Sequence, residues 1–124
     1  VVGLHLVANL GHHFGHAWAA ARTGYPMSGV LLGKWGLLGT SLYPTSEPAL
    51  PARIHIRRAL GGPLASLGLS LIAGALVLVL PRETMLWWAT LFFLADNLGV
   101  FFLGSLLPLG FTDGSTLLHW WGKQ

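Results

Sequence analysis

Between Val1 and Thr23, four side chains able to bind a proton or a metal recur on one side of the chain. His5, Asn9, His12 and His16 follow one another at spacings of four, three and four, which places them on a single face of a helix. His12 and His16 lie one turn apart, so two imidazole nitrogens can reach one cation. Asp113, far along the chain, can supply an oxygen. Two histidines and a carboxylate with an open fourth position form a zinc-type donor set. The spacing has a second meaning as well: polar residues in an apolar run can satisfy one another and nearby backbone groups as a buried seam, because they cannot face lipid cheaply. Spacing leaves both readings open.

The elements that must position these residues follow from composition. Of 124 residues, 53% are hydrophobic and only 9% charged, whereas a soluble domain carries charge on roughly a quarter of its residues. A spanning helix uses about 20 residues, so three spans fit and a large water-soluble domain does not. The expected architecture is an all-α integral membrane protein, multi-pass, in one domain over residues 1–124. Its spans are 1–23, 60–80 and 85–107. Gly24 and Pro26 end the first span. The second, read from ALGGPLASLGLSLIAGALVLVLP, is stopped by Pro81, and the third follows the Arg82–Glu83 turn. Residues 24–59, with scattered Gly and Pro among Val, Leu, Trp and Tyr, read as an interfacial loop with room for short strands. Residues 108–124 form a re-entrant or interfacial segment, whose Trp120 and Trp121 suit the membrane surface.

Seven Lys and Arg against four Asp and Glu give a net charge of +3. With so few charges this is no nucleic-acid surface. There are no cysteines, which excludes disulfides, thiolate metal ligands and a thiol nucleophile. Lys34, Arg53, Arg57 and Arg58, with Arg22 at the edge, load the 24–59 loop with positive charge, while Arg82 is offset by Glu83; the bias places that loop on the cytoplasmic side. Arg53, Arg57 and Arg58 also form a basic patch suited to anionic lipid. Trp18, Trp35 and Tyr43 are expected as interface anchors. Asp96 and Asn97 put an acid and an amide near the middle of the third span. Asp96 can orient His5, His13 or the second nitrogen of a ligand, or join helices by a buried polar contact; the packing role is the expected one.

Three stretches resemble, in order, the motifs of the site-2 protease family of intramembrane zinc metalloproteases. NLGHHFGHAWAAARTGYPMSGVLLG resembles the metal-binding helix and following loop, ALGGPLASL the Ala-Gly-Pro helix start, and SLLPLGFTDGSTLLHW the Asn-x-x-Pro…Leu-Asp-Gly signature. The resemblance implies a core of three transmembrane helices. It also implies a zinc held by His12, His16 and Asp113 for hydrolysis of a peptide bond in a membrane-embedded substrate. The polar residues of the spans, His5, Asn9, Asp96 and Asn97, are the candidates to surround such ligands.

The departures are specific. His13 stands where the family carries the glutamate that moves the proton between water and leaving amine. An imidazole exchanges protons near neutral pH, but it is bulkier and becomes cationic on protonation, which is unfavourable beside Zn²⁺. Ser105 stands where the family has a substrate-positioning asparagine, and Phe111–Thr112 where Pro-Leu is usual. The losses fall on proton-transfer and substrate positions while the expected ligands remain. The leading expectation is therefore a non-proteolytic membrane subunit with a structural or assembly role, packed against other membrane chains in the bilayer and able to retain a metal. The alternatives are an active zinc intramembrane protease in which His13 or a water replaces the carboxylate, and a subunit carrying a tetrapyrrole on His5, His13, His55 or His119.

Overall fold

The computed structural model describes residues 1–123, apart from the side chain of Trp35, whose expected anchoring role lies outside the described residues. Helix α1 spans Val2–Arg22, within a residue of the bounds expected for the first span, but it is not among the helices apolar enough to count as a span. It ends at Thr23, whose hydroxyl donates back to the Ala20 carbonyl, and Gly24 then takes a positive φ. The chain next forms an antiparallel hairpin of β1 (Gly29–Gly33) and β2 (Leu38–Leu42), with Leu31 opposite Thr40. Lys34 and Gly36, both at positive φ, reverse the direction between the strands.

Helix α2 spans Ala52–Val79, 28 residues, and begins eight residues before the expected span start at residue 60. Arg53 and Arg57, four apart, face outward on its first turns, while Ile54, Ile56 and Arg58 are buried. Arg53 and Arg57, taken for loop, are thus the exposed side of an amphipathic helical entry, and Arg58 is on its buried side. Pro63 lies inside α2 and is wholly buried; its ring removes one helical donor without ending the helix.

Thr84 caps α3 (Met85–Ala95) by accepting from the Trp87 amide at 3.2 Å. From Asp96 to Leu103 the coil widens into a π-helical stretch, then tightens to a single 3₁₀ turn at Gly104–Leu106. The expected 85–107 span is thus one continuous rod with a changed pitch in its second half. Helix α4 (Asp113–Trp120) starts at Thr112, whose hydroxyl accepts from the Ser115 amide. Thr112, where the resembled family has an apolar residue, is a good helix N-cap.

The helix α2 is central, in contact with α1, α3 with its π-helical extension, and α4. It crosses α1 with backbone against backbone: a β-carbon on Gly15 would overlap the Gly61 carbonyl and lie 2.5 Å from the Ala65 methyl. Small residues at such a crossing are how helices approach closely in lipid. Two segments, Ala52–Val79 and Met85–Leu106, are long and apolar enough to cross a membrane. α3 buries no residue in the molecule, and Leu71, Leu78, Val79 and Met85 all point outward. An outward apolar surface on helices of that length marks a membrane-associated protein.

Candidate metal centre

The polar face of α1 divides into two sets. His5, Asn9 and His13 advance by four residues, about 6 Å along a helix, while two residues of strand cover about 7 Å. The turn and the returning arm of the hairpin lie along them. His5 donates from Nε2 to the Leu37 carbonyl at 2.9 Å, Asn9 donates to the Gly36 carbonyl at 3.0 Å, and His13 Nδ1 meets the Ser41 hydroxyl at 2.8 Å. Gly39 lets the strand come close: a β-carbon there would fall 2.8 Å from His13 Cδ2 and 3.0 Å from Asn9 Oδ1. These three side chains hold the hairpin to the helix.

His12 and His16 face the other way, toward α2 and α4. Their Nε2 atoms are 3.1 Å apart. Asp113, at the first residue of α4, places Oδ2 3.1 Å from His12 Nε2 and Oδ1 3.1 Å from His16 Nε2. One donor atom from each residue lies within 4.8 Å of the others. Burial works against charge on Asp113, but the two facing imidazoles outweigh it and hold the carboxyl below its ordinary range.

The outer ring nitrogens show what the inner ones offer. His16 Nδ1 lies 2.7 Å from the Arg58 carbonyl and 3.3 Å from the Gly62 amide nitrogen; with its proton on Nδ1, directed at the carbonyl, the neutral ring leaves Nε2 free to bind a cation. His12 Nδ1 lies 3.0 Å from the Ser66 hydroxyl, which can accept from it in the same way. Two Nε2 atoms and a carboxylate thus converge, an arrangement that ring protons donated to Asp113 or a bound cation can hold together. A tetrahedral zinc with bonds of about 2.0–2.1 Å separates its donors by about 3.3 Å, close to the 3.1 Å approaches seen between these residues. Room for the ion comes from Gly62: a β-carbon there would fall 2.6 Å from His12 Nε2 and nearer still to His16 Nε2. The donor set fits a divalent metal.

His13, beside this cluster, has its ring centre 5.4 Å from that of His12 and 5.7 Å from that of His16, but its hydrogen bonding goes to the hairpin. Asp96 faces His5, with Nδ1 2.9 Å from Oδ2 and 3.1 Å from Oδ1. Both nitrogens of His5 thus face oxygen atoms, the Leu37 carbonyl on one side and the Asp96 carboxyl on the other. Asn97 is wholly buried and donates to the Phe93 carbonyl at 2.9 Å. Phe101, also buried, packs against both His5 and His12. Of the residues expected around the ligands, His5 and Asn9 therefore bond to the hairpin turn, Asp96 to His5 and Asn97 to the Phe93 carbonyl of α3, while Ser66 and the Arg58 carbonyl meet the rings of His12 and His16. Ser105 donates to the Phe101 and Phe102 carbonyls, at 2.7 and 3.0 Å, within its own helix.

The Arg58 residue was read in the sequence only as part of a basic patch, and it does more. Its buried guanidinium donates to the Tyr25 carbonyl at 2.6 and 3.2 Å, pairs with Glu47, and lies 4.1 Å over the Tyr43 ring, while its own carbonyl orients His16. The guanidinium holds the Glu47 carboxyl below its ordinary range, and burial raises the Tyr43 phenol. Arg58, Gly62, Ser66 and Ser70 recur every four residues; that small and polar stripe on α2 was the signal for the face opposite the histidines.

Of the histidines considered for a tetrapyrrole, His5 and His13 are engaged as described. His55 stacks on Trp120 at 4.2 Å, and His119 meets the same indole edge-on at 4.9 Å.

No protein-family model matches the chain, and no curated protein or solved structure matches it significantly.

Proposed function

We propose that the chain is a divergent, site-2-protease-like membrane subunit that binds zinc through His12, His16 and Asp113 and serves a structural or assembly role. The observation that carries this reading is the convergence of the His12 and His16 Nε2 atoms and the Asp113 carboxylate over the space left by Gly62. A cation there joins α1 to α4, elements separated by about a hundred residues of sequence, so its binding energy becomes folding energy. Ser66 and the Arg58 carbonyl fix the ring orientation; Asp113 supplies the negative charge.

Support for the non-proteolytic part comes from His13 and from the acids. His13 is committed to the Ser41 hydroxyl. Of the chain's four acids, Glu47 pairs with Arg58, Asp96 with His5 and Asp113 with the two ligand histidines, and Glu83 lies in the turn after α2. None is a second carboxylate beside the cluster. One observation favours the hydrolase reading: three protein donors are the form taken by catalytic zinc sites, where the metal acts as a Lewis acid.

Metal analysis of the chain purified without chelators tests the proposal. A single zinc per chain, lost in His12→Ala and His16→Ala, is expected, together with no cleavage of a transmembrane peptide. Absence of metal sinks the zinc assignment. Cleavage abolished by both chelator and His16→Ala would replace the assembly role with the protease.

A further inference from the structure

On the face of the α1–α2 crossing away from the histidines lies a groove of about 660 Å³ that shares no residue with the metal centre. Its floor is the contact between Gly15 and Gly61, where neither helix has a side chain. Its walls are apolar, with Phe14 and Trp18 from α1 and Leu60 and Leu64 from α2. Phe14, Trp18 and Leu64 are 71%, 61% and 58% exposed, so the molecule itself leaves these walls uncovered.

One end of the groove is different. Arg22, at the last turn of α1, and Arg57, near the start of α2, both line it. The Arg22 guanidinium lies 5.5 Å from the Trp18 ring centre, and among the described residues neither arginine pairs with a carboxylate. The acid inventory explains why. Three of the four acids are taken, and Glu83 follows the far end of α2, at least about 33 Å along the helix from Arg57. Among the described residues no carboxylate neutralises this pair.

We propose that the groove binds one anionic phospholipid, its phosphate between Arg22 and Arg57 and an acyl chain lying along Leu60, Leu64, Phe14 and Trp18. The complementarity is in both charge and position. The arginines lie at the ends of their helices, where the headgroup region meets a helix that crosses the membrane, and the apolar walls extend roughly 10 Å from them along the axis, toward hydrocarbon. A guanidinium binds phosphate oxygens in a paired geometry. This site stands independently of the zinc assignment, since a lipid there touches neither the ligands nor Gly62.

The test uses the full chain in detergent, mixed with equal amounts of palmitoyl-oleoyl phosphatidylglycerol and the phosphatidylcholine of the same acyl chains, with retained lipid read by native mass spectrometry. One phosphatidylglycerol per chain is expected in preference to phosphatidylcholine. Arg22→Gln and Arg57→Gln should each reduce the preference about five-fold, and the double variant more. Arg57→Lys should retain most of it, which separates loss of charge from misfolding, and Arg82→Gln, beyond the opposite end of α2, should leave it unchanged. Equal retention of both lipids overturns the proposal, as does a preference that survives the double variant or falls equally in Arg82→Gln. Displacement of the lipid by inorganic phosphate alone would show a free-anion site instead. Dimers that retain no lipid would show that a second copy of the chain covers the groove.

Discussion

The Ser66 hydroxyl on α2 holds His12 on α1 by a 3.0 Å hydrogen bond to ring Nδ1. Ser66 is wholly buried and donates nothing to the cation itself, so its effect passes through the orientation and basicity of the imidazole. Ser66→Ala should weaken zinc binding about 10–100-fold, the usual cost of removing such a support, without unfolding the chain. Titration against a chelator of known affinity measures it. Unchanged affinity would mean that His12 needs no such partner.

At Gly62 two effects of opposite sign separate. Alanine in place of glycine inside a helix is favourable by about 0.5–1 kcal/mol, but the new methyl would lie 2.6 Å from His12 Nε2. The rings would have to swing away from Asp113. Gly62→Ala should therefore lose zinc while keeping its helical circular dichroism. A variant that binds zinc normally would show that the cluster does not use the space beside Gly62.

The His5–Asp96 pair ties α1 to the π-helical stretch across a partly buried 2.9 Å contact. Removing one member leaves a polar group without its partner, so His5→Leu and Asp96→Leu should each destabilise by roughly 3 kcal/mol. The double variant should cost clearly less than the sum. Denaturant unfolding of the four proteins gives the coupling; strict additivity would show that the pair does not interact.

For Glu47 the sign with pH is fixed by direction. Its hydrogen bond to Arg58 lowers the carboxyl below its ordinary value, so the pair's stabilisation is fully present above the unfolded-chain pKa. It is lost as pH falls through the lower folded-state pKa. Wild type should be more stable than Glu47→Gln near neutrality, and the two should converge under acid. A stability difference constant from neutral pH to strong acid would remove Glu47 from the account.

Much of the first helix was legible because its face carries His and Asn in an apolar run, and lipid-exposed positions do not tolerate that pattern. The same stripe concealed its own division: spacing shows that His5, Asn9, His12 and His16 share a face, but not that His5 and Asn9 join His13 on the hairpin while His12 and His16 turn to α4. That choice belongs to the hairpin, whose position depends on tertiary packing. The early start of α2 was missed because Arg53, Arg57 and Arg58 read as loop; only a buried partner network explains a guanidinium inside a helix packing face. Asp113 was legible as a candidate ligand, and the structure brings it to both histidines. The π-helical widening at Asp96 leaves no local mark, since π-turns follow from fitting a helix to its neighbours rather than from propensity. Ser66 and Gly62 were visible as residues but not as functions, because a support or an empty space acquires meaning only opposite the group it serves.

The contact between Gly15 and Gly61 sets a tolerance. Their neighbours in sequence are His16 and Gly62, a ligand and the space it needs, so the crossing works as a gauge for the cation centre. Sliding one helix along the other by a single residue is about 1.5 Å, roughly half of the 3.1 Å from the His12 ring to Asp113, which α4 holds against α2. Such a slip would carry a bulkier part of α2 into the donors. Side chains at the crossing could be repacked through rotamer changes, but two bare backbones in contact have no such play, and the site inherits their rigidity.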